Sequence, residues 1–216
     1  MSKIKAVIFD MWDTLIYNDK NENIMLTLSS LMNIPPIREN WKHLEKAFML
    51  KHYRTLEEAV ADIAAYFHTS NHFVINKIKT LIKNALKPRI FPDVIPVLKK
   101  LKERNYKLAI VSNTPSFGIK CLHSSLFRYF DAVCLSCDLG IIKPDKRIFL
   151  TALKRLGTKP EETIMVGDNY QDDIKPAISI GMNAVLVKRN FNKLTWRETH
   201  DYGKTINSLK GIWKFL

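Results

Sequence analysis

Short apolar runs recur along the chain and predict the strands of a buried sheet. The runs are continuous and not alternating, which is typical of parallel strands covered on both faces. Segments with apolar residues at helical spacing lie between them. The strand-like runs are "AVIF" (6–9), "KLAIV" (107–111), "DAVCL" (131–135), "TIMV" (163–166) and "NAVLV" (183–187).

Helical patterns alternate with these strand-like runs along most of the chain. Gly157 and Gly181 fall where helix C-caps belong. Because alternating strands and helices build parallel sheets with helices on both faces, the sequence predicts an α/β fold with a doubly wound parallel sheet. The helical patterns cover residues 92–105, 116–127, 145–157 and 170–181.

A long segment between the first two strands interrupts this alternation. Residues 17–87 contain no convincing strand, and the prolines of "LKPRIFPD" mark their end. One helical stretch opens with the capping sequence "TLEE", with Thr55 as N-cap and Glu58 three residues later. We predict a small all-helical cap domain at 17–87, inserted into a core domain of residues 1–16 and 88–216. Its helical stretches lie near 22–32, 36–51, 56–67 and 71–86.

Composition and charge narrow the class of protein. A hydrophobic content of 46% with 25% charged residues suits a globular chain with a substantial core. No stretch approaches the roughly 20 apolar residues that span a bilayer, and the N-terminus lacks a signal peptide, so we expect a cytoplasmic protein without a membrane partner. The formal net charge is +13, but the lysines are scattered along helical segments without a nucleic-acid motif. We therefore expect no nucleic-acid partner.

The cysteines are few and odd in number. Cys121, Cys134 and Cys137 fit a reducing compartment without a disulfide framework. "CLSC" spells a C-x-x-C, yet it falls on a strand and its exit, where residues three apart point to opposite faces. Since no second Cys/His pair completes a zinc site, we interpret these cysteines as core or surface residues.

Polar residues follow four of the predicted strands, where the functional groups of a doubly wound sheet gather. A carboxylate can attack an electrophile or ligate Mg²⁺. A hydroxyl can donate to phosphoryl oxygens, and an ammonium neutralises charge there. The sequence therefore predicts a site for an anionic group and a hard cation. Its candidates are Asp10, Ser112, Asn113, Lys143 and Asp168, with Asp172 and Asp173 one turn further.

Four motifs in this order resemble those of the haloacid dehalogenase superfamily, in the subfamily with a helical (C1-type) cap between the first two motifs. "IFDMWDTL" resembles motif one, "IVSNT" motif two, "GIIKPDKRIF" motif three and "MVGDNYQDD" motif four. Each motif falls at a predicted strand end, and together they cover nearly the whole chain. The resemblance implies a Rossmann-like core with an inserted cap.

The resemblance also implies roles for individual residues. Asp10 would be the nucleophile, and Ser112 and Lys143 would hold the transferred group. Mg²⁺ would be held by Asp10, Asp168 and the backbone carbonyl of Trp12. The residues expected to contact the substrate are Trp12, Thr14, Ser112, Asn113 and Lys143.

Motif one departs from the phosphatases of the family, which usually read D-x-D-G-T. The second acid protonates the leaving group and then activates water. Here Trp12 takes that position, and Asp13 stands in place of the glycine. A non-acid there, usually tyrosine, resembles the 2-haloacid dehalogenases, whose aspartate attacks carbon without a metal. Motifs three and four favour the phosphatases, because dehalogenases carry a neutral residue in place of Asp168 and tend to carry a tyrosine in place of Phe149.

The sequence therefore predicts a Mg²⁺-dependent phosphatase that acts on a small phosphorylated metabolite through an aspartyl-phosphate on Asp10, as a monomer or homodimer. One alternative is a metal-independent 2-haloacid dehalogenase that forms an ester on the same residue. Another is a binding or regulatory protein that retains the pocket but turns over poorly without an acid/base.

For several polar or aromatic residues we prefer a structural role to a role in binding or catalysis. Trp12 would pack against the cap hinge, and Asp173 would complement a helix dipole from the first turn. The role of Asp13 stays open, as does the choice between Asp172 and Asp173 as a support for the metal. Five residues of the predicted cap are assigned to surface or solvated positions: Arg38, Lys42, His43, His52 and Arg54.

Overall fold

Six parallel strands form the central sheet of the computed structural model, which describes residues 3–18, 24–35, 37–85, 87–116, 124–189 and 202–216. The strand order is β5-β4-β1-β6-β7-β8, so β1 lies in the interior between β4 and β6. This order places the carboxyl ends of β1, β4 and β6 side by side. The strands are β1 (Ala6–Phe9), β4 (Lys107–Ser112), β5 (Ala132–Leu135), β6 (Thr163–Gly167), β7 (Asn183–Val187) and β8 (Thr205–Ile206).

Helices cover both faces of this sheet. Alternate residues of β1 point to opposite sides, with Val7 and Phe9 in one apolar cluster and Ala6 and Ile8 in the other. Helix α5 covers the first face and α8 the second. This arrangement explains why the strand sequences are continuously apolar. The helices after the insertion are α5 (Val94–Glu103), α6 (Ser124–Phe127), α7 (Ser136–Leu139), α8 (Lys146–Leu156) and α9 (Lys175–Ser179), with 3₁₀ turns at Pro160–Glu162 and Leu209–Lys214.

A helical insertion follows β1 and has an apolar cluster of its own, which includes Leu44, Phe48 and Ile78. Thr55 caps α3, since its side chain accepts a hydrogen bond from the Glu58 N–H at 3.1 Å. The insertion contains α1 (Ile24–Leu31), α2 (Arg38–Met49), α3 (Leu56–Tyr66) and α4 (His72–Ala85).

Two short strands that the sequence analysis missed join the insertion to the sheet. β2 (Ile16–Asn18) and β3 (Pro88–Ile90) pair antiparallel, with Asn18 opposite Pro88. β2 extends into the segment predicted to lack strands, so that part of the prediction is wrong. The domain boundaries at 16/17 and 87/88 fall on this pair and stay a prediction.

The strands predicted from apolar runs are confirmed within one residue at each end, and the parallel arrangement is confirmed as well. Gly157 and Gly181 have positive φ angles of 61° and 88°, in keeping with their predicted capping positions. The predicted helix at 170–181 is instead a π-helical turn, Tyr170–Ile174, followed by α9. Part of the helix predicted at 116–127, including Cys121, lies outside the described residues. Among those residues, no helix is both long and apolar enough to cross a bilayer.

Candidate active site

The carboxyl ends of the central strands bring three charged side chains into direct contact. Lys143 Nζ lies 2.6 Å from Asp10 Oδ1 and 2.6 Å from Asp173 Oδ1. All three residues are buried, with exposures of 4%, 5% and 0% respectively. Asp10 follows β1, Asp173 lies in the π-helical turn after β6, and Lys143 precedes α8. The topology therefore assembles this site from three separate parts of the chain.

These charges strongly affect one another. Burial alone would lower the pKa of Lys143, but the carboxylates of Asp10 and Asp173 raise it above its usual value, so the side chain is an ammonium at neutral pH. Burial raises the pKa of Asp173 to about 7, and the nearby charge of Asp10 adds to this effect while Lys143 opposes it. One ammonium therefore does not fully compensate the carboxylates around it.

A third carboxylate completes an oxygen-rich cluster. Asp10, Asp168 and Asp173 each place a carboxylate oxygen within 4.8 Å of the others. Oxygen ligands of this kind suit Mg²⁺. The cluster carries a formal charge of −3 when ionised, and Lys143 reduces it to −2, which equals the charge that one divalent cation neutralises. The donor set therefore fits the implied metal.

Asp173 lies in the first turn of the π-helical segment, as the sequence analysis predicts, and it is also part of the carboxylate cluster. Its Oδ2 accepts a hydrogen bond from the Asn169 N–H at 3.0 Å. The side chain lies directly over the β6 backbone, since a Cβ at Gly167 would come within 2.4 Å of Asp173 Oδ2. Glycine is therefore needed at the end of β6 for Asp173 to occupy this position.

The last residue of β4 carries a buried hydroxyl without a hydrogen-bond partner in the part of the chain that the structure describes. Ser112 is fully buried, and its Oγ has no hydrogen-bond partner among the described residues. Buried hydroxyls are ordinarily paired, because an unpaired one costs free energy. Next to it, Asn113 accepts a hydrogen bond from the Lys143 N–H at 2.7 Å and donates to the Lys143 carbonyl at 3.2 Å. Asn113 therefore fixes the backbone that carries the buried ammonium.

The loop after Asp10 positions the remaining residues of motif one. The Thr14 hydroxyl donates to Asp10 Oδ2 at 3.0 Å and is fully buried. The Trp12 indole N–H donates to Thr114 Oγ1 at 3.1 Å. Asp13 has a φ of 59°, the left-handed conformation that glycine adopts most easily and aspartate tolerates. The aspartate therefore occupies a turn position that explains why glycine is usual there.

Helix α2 of the insertion contributes two cations to the edge of the site. Arg38 Nη2 contacts Asp172 Oδ1 at 2.8 Å, and Lys42 Nζ contacts Asp172 Oδ2 at 2.9 Å. The Lys42 side chain is 17% exposed and also lies 3.3 Å from the Lys143 carbonyl oxygen. The assignment of Lys42 to a solvated face was therefore wrong. Arg38, at 36% exposure, is half-buried against Asp172.

A buried carboxylate of the insertion adjoins these cations. Glu45 accepts hydrogen bonds from Lys42 and from the Trp41 indole at 3.1 Å, and its Oε2 lies 3.5 Å from Asn113 Nδ2. Burial raises the pKa of Glu45, although Lys42 opposes this effect. Sequence analysis missed Glu45, because nothing in the helical pattern distinguishes its side chain from the exposed acids of the chain.

The same fold and motifs occur in known proteins. The sequence model of the haloacid dehalogenase-like hydrolases matches residues 4–181. The chain therefore belongs to the haloacid dehalogenase-like hydrolase family, as its four motifs indicate.

The relatives include phosphatases and a 2-haloacid dehalogenase, which are the two classes of enzyme between which motif one leaves the choice open. A glyceraldehyde 3-phosphate phosphatase of Methanothermobacter thermautotrophicus is 31% identical over 202 residues, which cover 85% of each chain. The (S)-2-haloacid dehalogenase 4A of Burkholderia cepacia is 27% identical, over all of this chain and 96% of its own. The crystal structure of a phosphatase of this family from Thermococcus onnurineus is 27% identical, with a TM-score of 0.64 and coverage of 98% of this chain and 97% of its own.

Proposed function

We propose that this protein is a Mg²⁺-dependent phosphatase that acts on a small phosphorylated metabolite. The observation that carries the proposal is the convergence of Asp10, Asp168 and Asp173 beside a single buried ammonium. Such a concentration of carboxylates is costly unless a cation neutralises it. The relative named as a glyceraldehyde 3-phosphate phosphatase supports the same chemistry and a substrate of small size.

In this proposal, Asp10, Asp168 and Asp173 hold the metal, and the backbone carbonyl of Trp12 stays a further predicted ligand. Bound Mg²⁺ would supply positive charge that offsets the charge of the phosphoryl group and of its transition state. Lys143 would supply a second positive charge, and its pairing with Asp10 keeps the attacking carboxylate in one orientation. The unpaired Ser112 hydroxyl would donate to a phosphoryl oxygen, which gives it the partner that it lacks.

The reaction would proceed in two steps. A carboxylate oxygen of Asp10 attacks phosphorus, the bond from phosphorus to the leaving oxygen breaks, and an aspartyl-phosphate forms. Water then attacks this phosphorus, which releases inorganic phosphate and restores Asp10. Thr14 holds the carboxylate of Asp10 through a 3.0 Å hydrogen bond, which limits its rotation before attack. Trp12 has no carboxyl proton to donate to the leaving group. Substrates whose leaving group departs without protonation are therefore expected to react fastest.

A second candidate is a metal-independent 2-haloacid dehalogenase. Trp12 favours it, because displacement of halide needs no protonation of the leaving group. The relative named as (S)-2-haloacid dehalogenase 4A is consistent with it. Asp168 favours the phosphatase, since halide displacement by Asp10 needs no metal ligand.

A paired assay separates these candidates. Purified protein is incubated with glyceraldehyde 3-phosphate, p-nitrophenyl phosphate or 2-chloropropionate, each with Mg²⁺ and with EDTA, and released phosphate and chloride are measured. We expect phosphate release that requires Mg²⁺ and no chloride release. Chloride release that persists in EDTA would overturn the proposal in favour of the dehalogenase. No release of either ion would favour a binding or regulatory protein.

A further inference from the structure

A second group of metal-ligating side chains lies where the helical insertion meets the sheet, and it shares no residue with the carboxylate cluster. His52 comes from the segment between α2 and α3 of the insertion, whereas Cys137 and Asp138 belong to α7, which follows β5. Their ligand atoms all lie within 4.8 Å of one another. The C-x-x-C sequence thus contributes one cysteine, Cys137, to a mixed cluster that spans two parts of the fold.

Two of the separations within this cluster fall in the range of a tetrahedral metal site, and the third is within 4.8 Å. His52 Nε2 lies 3.5 Å from Asp138 Oδ1, and Cys137 Sγ lies 3.7 Å from the same oxygen. Zinc bonds of about 2.0–2.3 Å to nitrogen, oxygen and sulfur imply ligand-to-ligand distances of about 3.3–3.8 Å in a tetrahedron. A cation could therefore bind with little movement of these atoms.

The chemistry of the donors selects the class of cation. Imidazole, thiolate and carboxylate together suit Zn²⁺ and similar transition metals, whereas Mg²⁺ prefers oxygen ligands alone. The side chains of His52 and Asp138 are 63% and 47% exposed, which leaves room for water as a fourth ligand. A metal would bind Cys137 as a thiolate, with release of the thiol proton.

We propose that His52, Cys137 and Asp138 form a transition-metal site, selective for Zn²⁺ over Mg²⁺, that ties the helical insertion to the sheet. The insertion already contacts the sheet on either side of His52. The Met49 carbonyl accepts from the Ser136 hydroxyl at 2.6 Å, and the Tyr53 N–H donates to Ser116 Oγ at 2.7 Å. A metal at His52 would add a further link between this segment and α7, and it would stabilise their contact because it binds only when the two parts meet.

Cobalt(II) is the probe that tests the site, because a thiolate ligand gives it a charge-transfer absorption that carboxylates do not. The full chain is titrated with Co²⁺ in excess Mg²⁺, which occupies the carboxylate cluster, and then with Zn²⁺. We expect one Co²⁺ per chain with a thiolate band, loss of the band on addition of Zn²⁺, and a higher thermal midpoint of unfolding with Zn²⁺. Absence of a thiolate band would overturn the proposal.

Matched variants assign the ligands. His52→Ala and Cys137→Ser should each weaken Co²⁺ binding by more than about tenfold, and Cys137→Ser should abolish the thiolate band. Cys134→Ser removes the other cysteine of the C-x-x-C, whose Sγ lies 3.6 Å from Arg155, and should leave the band intact, as should Cys121→Ser. A band that survives in Cys137→Ser, or that disappears in either control, would overturn the assignment. His52 is exposed, so His52→Ala tests the site without disturbing the core.

Discussion

Trp12 shows how a single substitution changes the expected chemistry while the local backbone is kept. Its indole donates to Thr114, and its backbone forms an isolated bridge with Ile16. The preceding residues still place Asp10 at the end of β1, and Thr14 still holds the Asp10 carboxylate. The loop thus holds the Asp10 carboxylate at the end of β1, and the proposed phosphatase is expected to differ from D-x-D-G-T phosphatases mainly in the protonation of the leaving group.

Replacing Trp12 with aspartate tests this account. Trp12→Asp should raise the rate of hydrolysis of alkyl phosphates more than that of p-nitrophenyl phosphate, because the nitrophenolate leaves with little protonation. The ratio of the two values of kcat is the measurement, and Trp12→Phe serves as the control for loss of the indole hydrogen bond. An equal fall in both rates in Trp12→Asp would instead identify Trp12 as a packing residue that supports the loop.

The nucleophile can be tested with a neighbouring control. Asp10→Asn should abolish phosphate release while leaving the fold intact, since it removes the attacking oxygen but preserves volume and lessens repulsion from Asp168 and Asp173. Asp13→Asn should retain activity, because asparagine also tolerates the positive φ of 59° at this turn. The rate of phosphate release measures activity, and circular dichroism checks that each variant is folded. Activity of Asp10→Asn within tenfold of the wild type would exclude Asp10 as the attacking group.

The π-helical turn after β6 determines which of two adjacent acids enters the site. Asn169 caps this turn, accepting hydrogen bonds from the Gln171 and Asp172 N–H groups at 3.0 Å and 3.2 Å. As a result, Asp173 points to Lys143, whereas Asp172 points to the cations of α2. The pair "DD" in the sequence indicated two candidates but not their directions, because an α-helix and a π-helix rotate successive side chains by different angles.

The main strands and helices could be predicted because each of them shows its buried positions as an apolar pattern within its own short segment of sequence. Motif one, motif two and Lys143 could be placed for the same reason, since each follows such a segment. The β2–β3 pair could not, because two three-residue strands far apart in sequence carry no local pattern. The pairing of Lys42 with Asp172 also depends on how α2 docks, which the helical periodicity does not encode.

The docking of α2 is tested by removing one cation. Lys42→Met should lower the free energy of unfolding by about 2–4 kcal/mol, because it leaves Asp172 and Glu45 buried with fewer partners. Lys51→Met is the matched control, since Lys51 and Asp62 are 50% and 33% exposed, and it should cost less than about 1 kcal/mol. Chemical denaturation measures both. If both variants lost the same unfolding free energy, the contact between α2 and Asp172 would contribute no more to stability than an exposed ion pair.

At the scale of the whole molecule, one ion pair links distant parts of the core. Arg189, just after β7, contacts both oxygens of Asp93 at 2.9 Å and 2.7 Å and donates to the Thr14 carbonyl at 2.7 Å. Asp93 also accepts from the Ser208 hydroxyl and the Leu209 N–H. The loop that follows Asp10, the start of α5 and the last 3₁₀ turn therefore meet at a single pair of charges.

Removal of the Arg189 side chain should therefore lower the stability of the fold strongly. Burial alone would raise the pKa of Asp93, but Arg189 and Ser208 hold it below its usual value, so Asp93 is charged at neutral pH. Arg189→Met would leave this carboxylate without its cation and should lower the free energy of unfolding by about 3–5 kcal/mol. Arg147→Met, which removes an exposed partner of Asp145, should lower the free energy of unfolding far less, because solvent screens this pair. Similar thermal midpoints for the two variants would contradict this view.

The antiparallel pair of β2 and β3 has a consequence for how such a chain can diversify. Because Asn18 lies opposite Pro88, the polypeptide leaves the sheet and returns to it at neighbouring points. An insertion of another length or sequence could therefore join the core at the same two points, provided that it supplies a cation for Asp172, which Arg38 and Lys42 contact here.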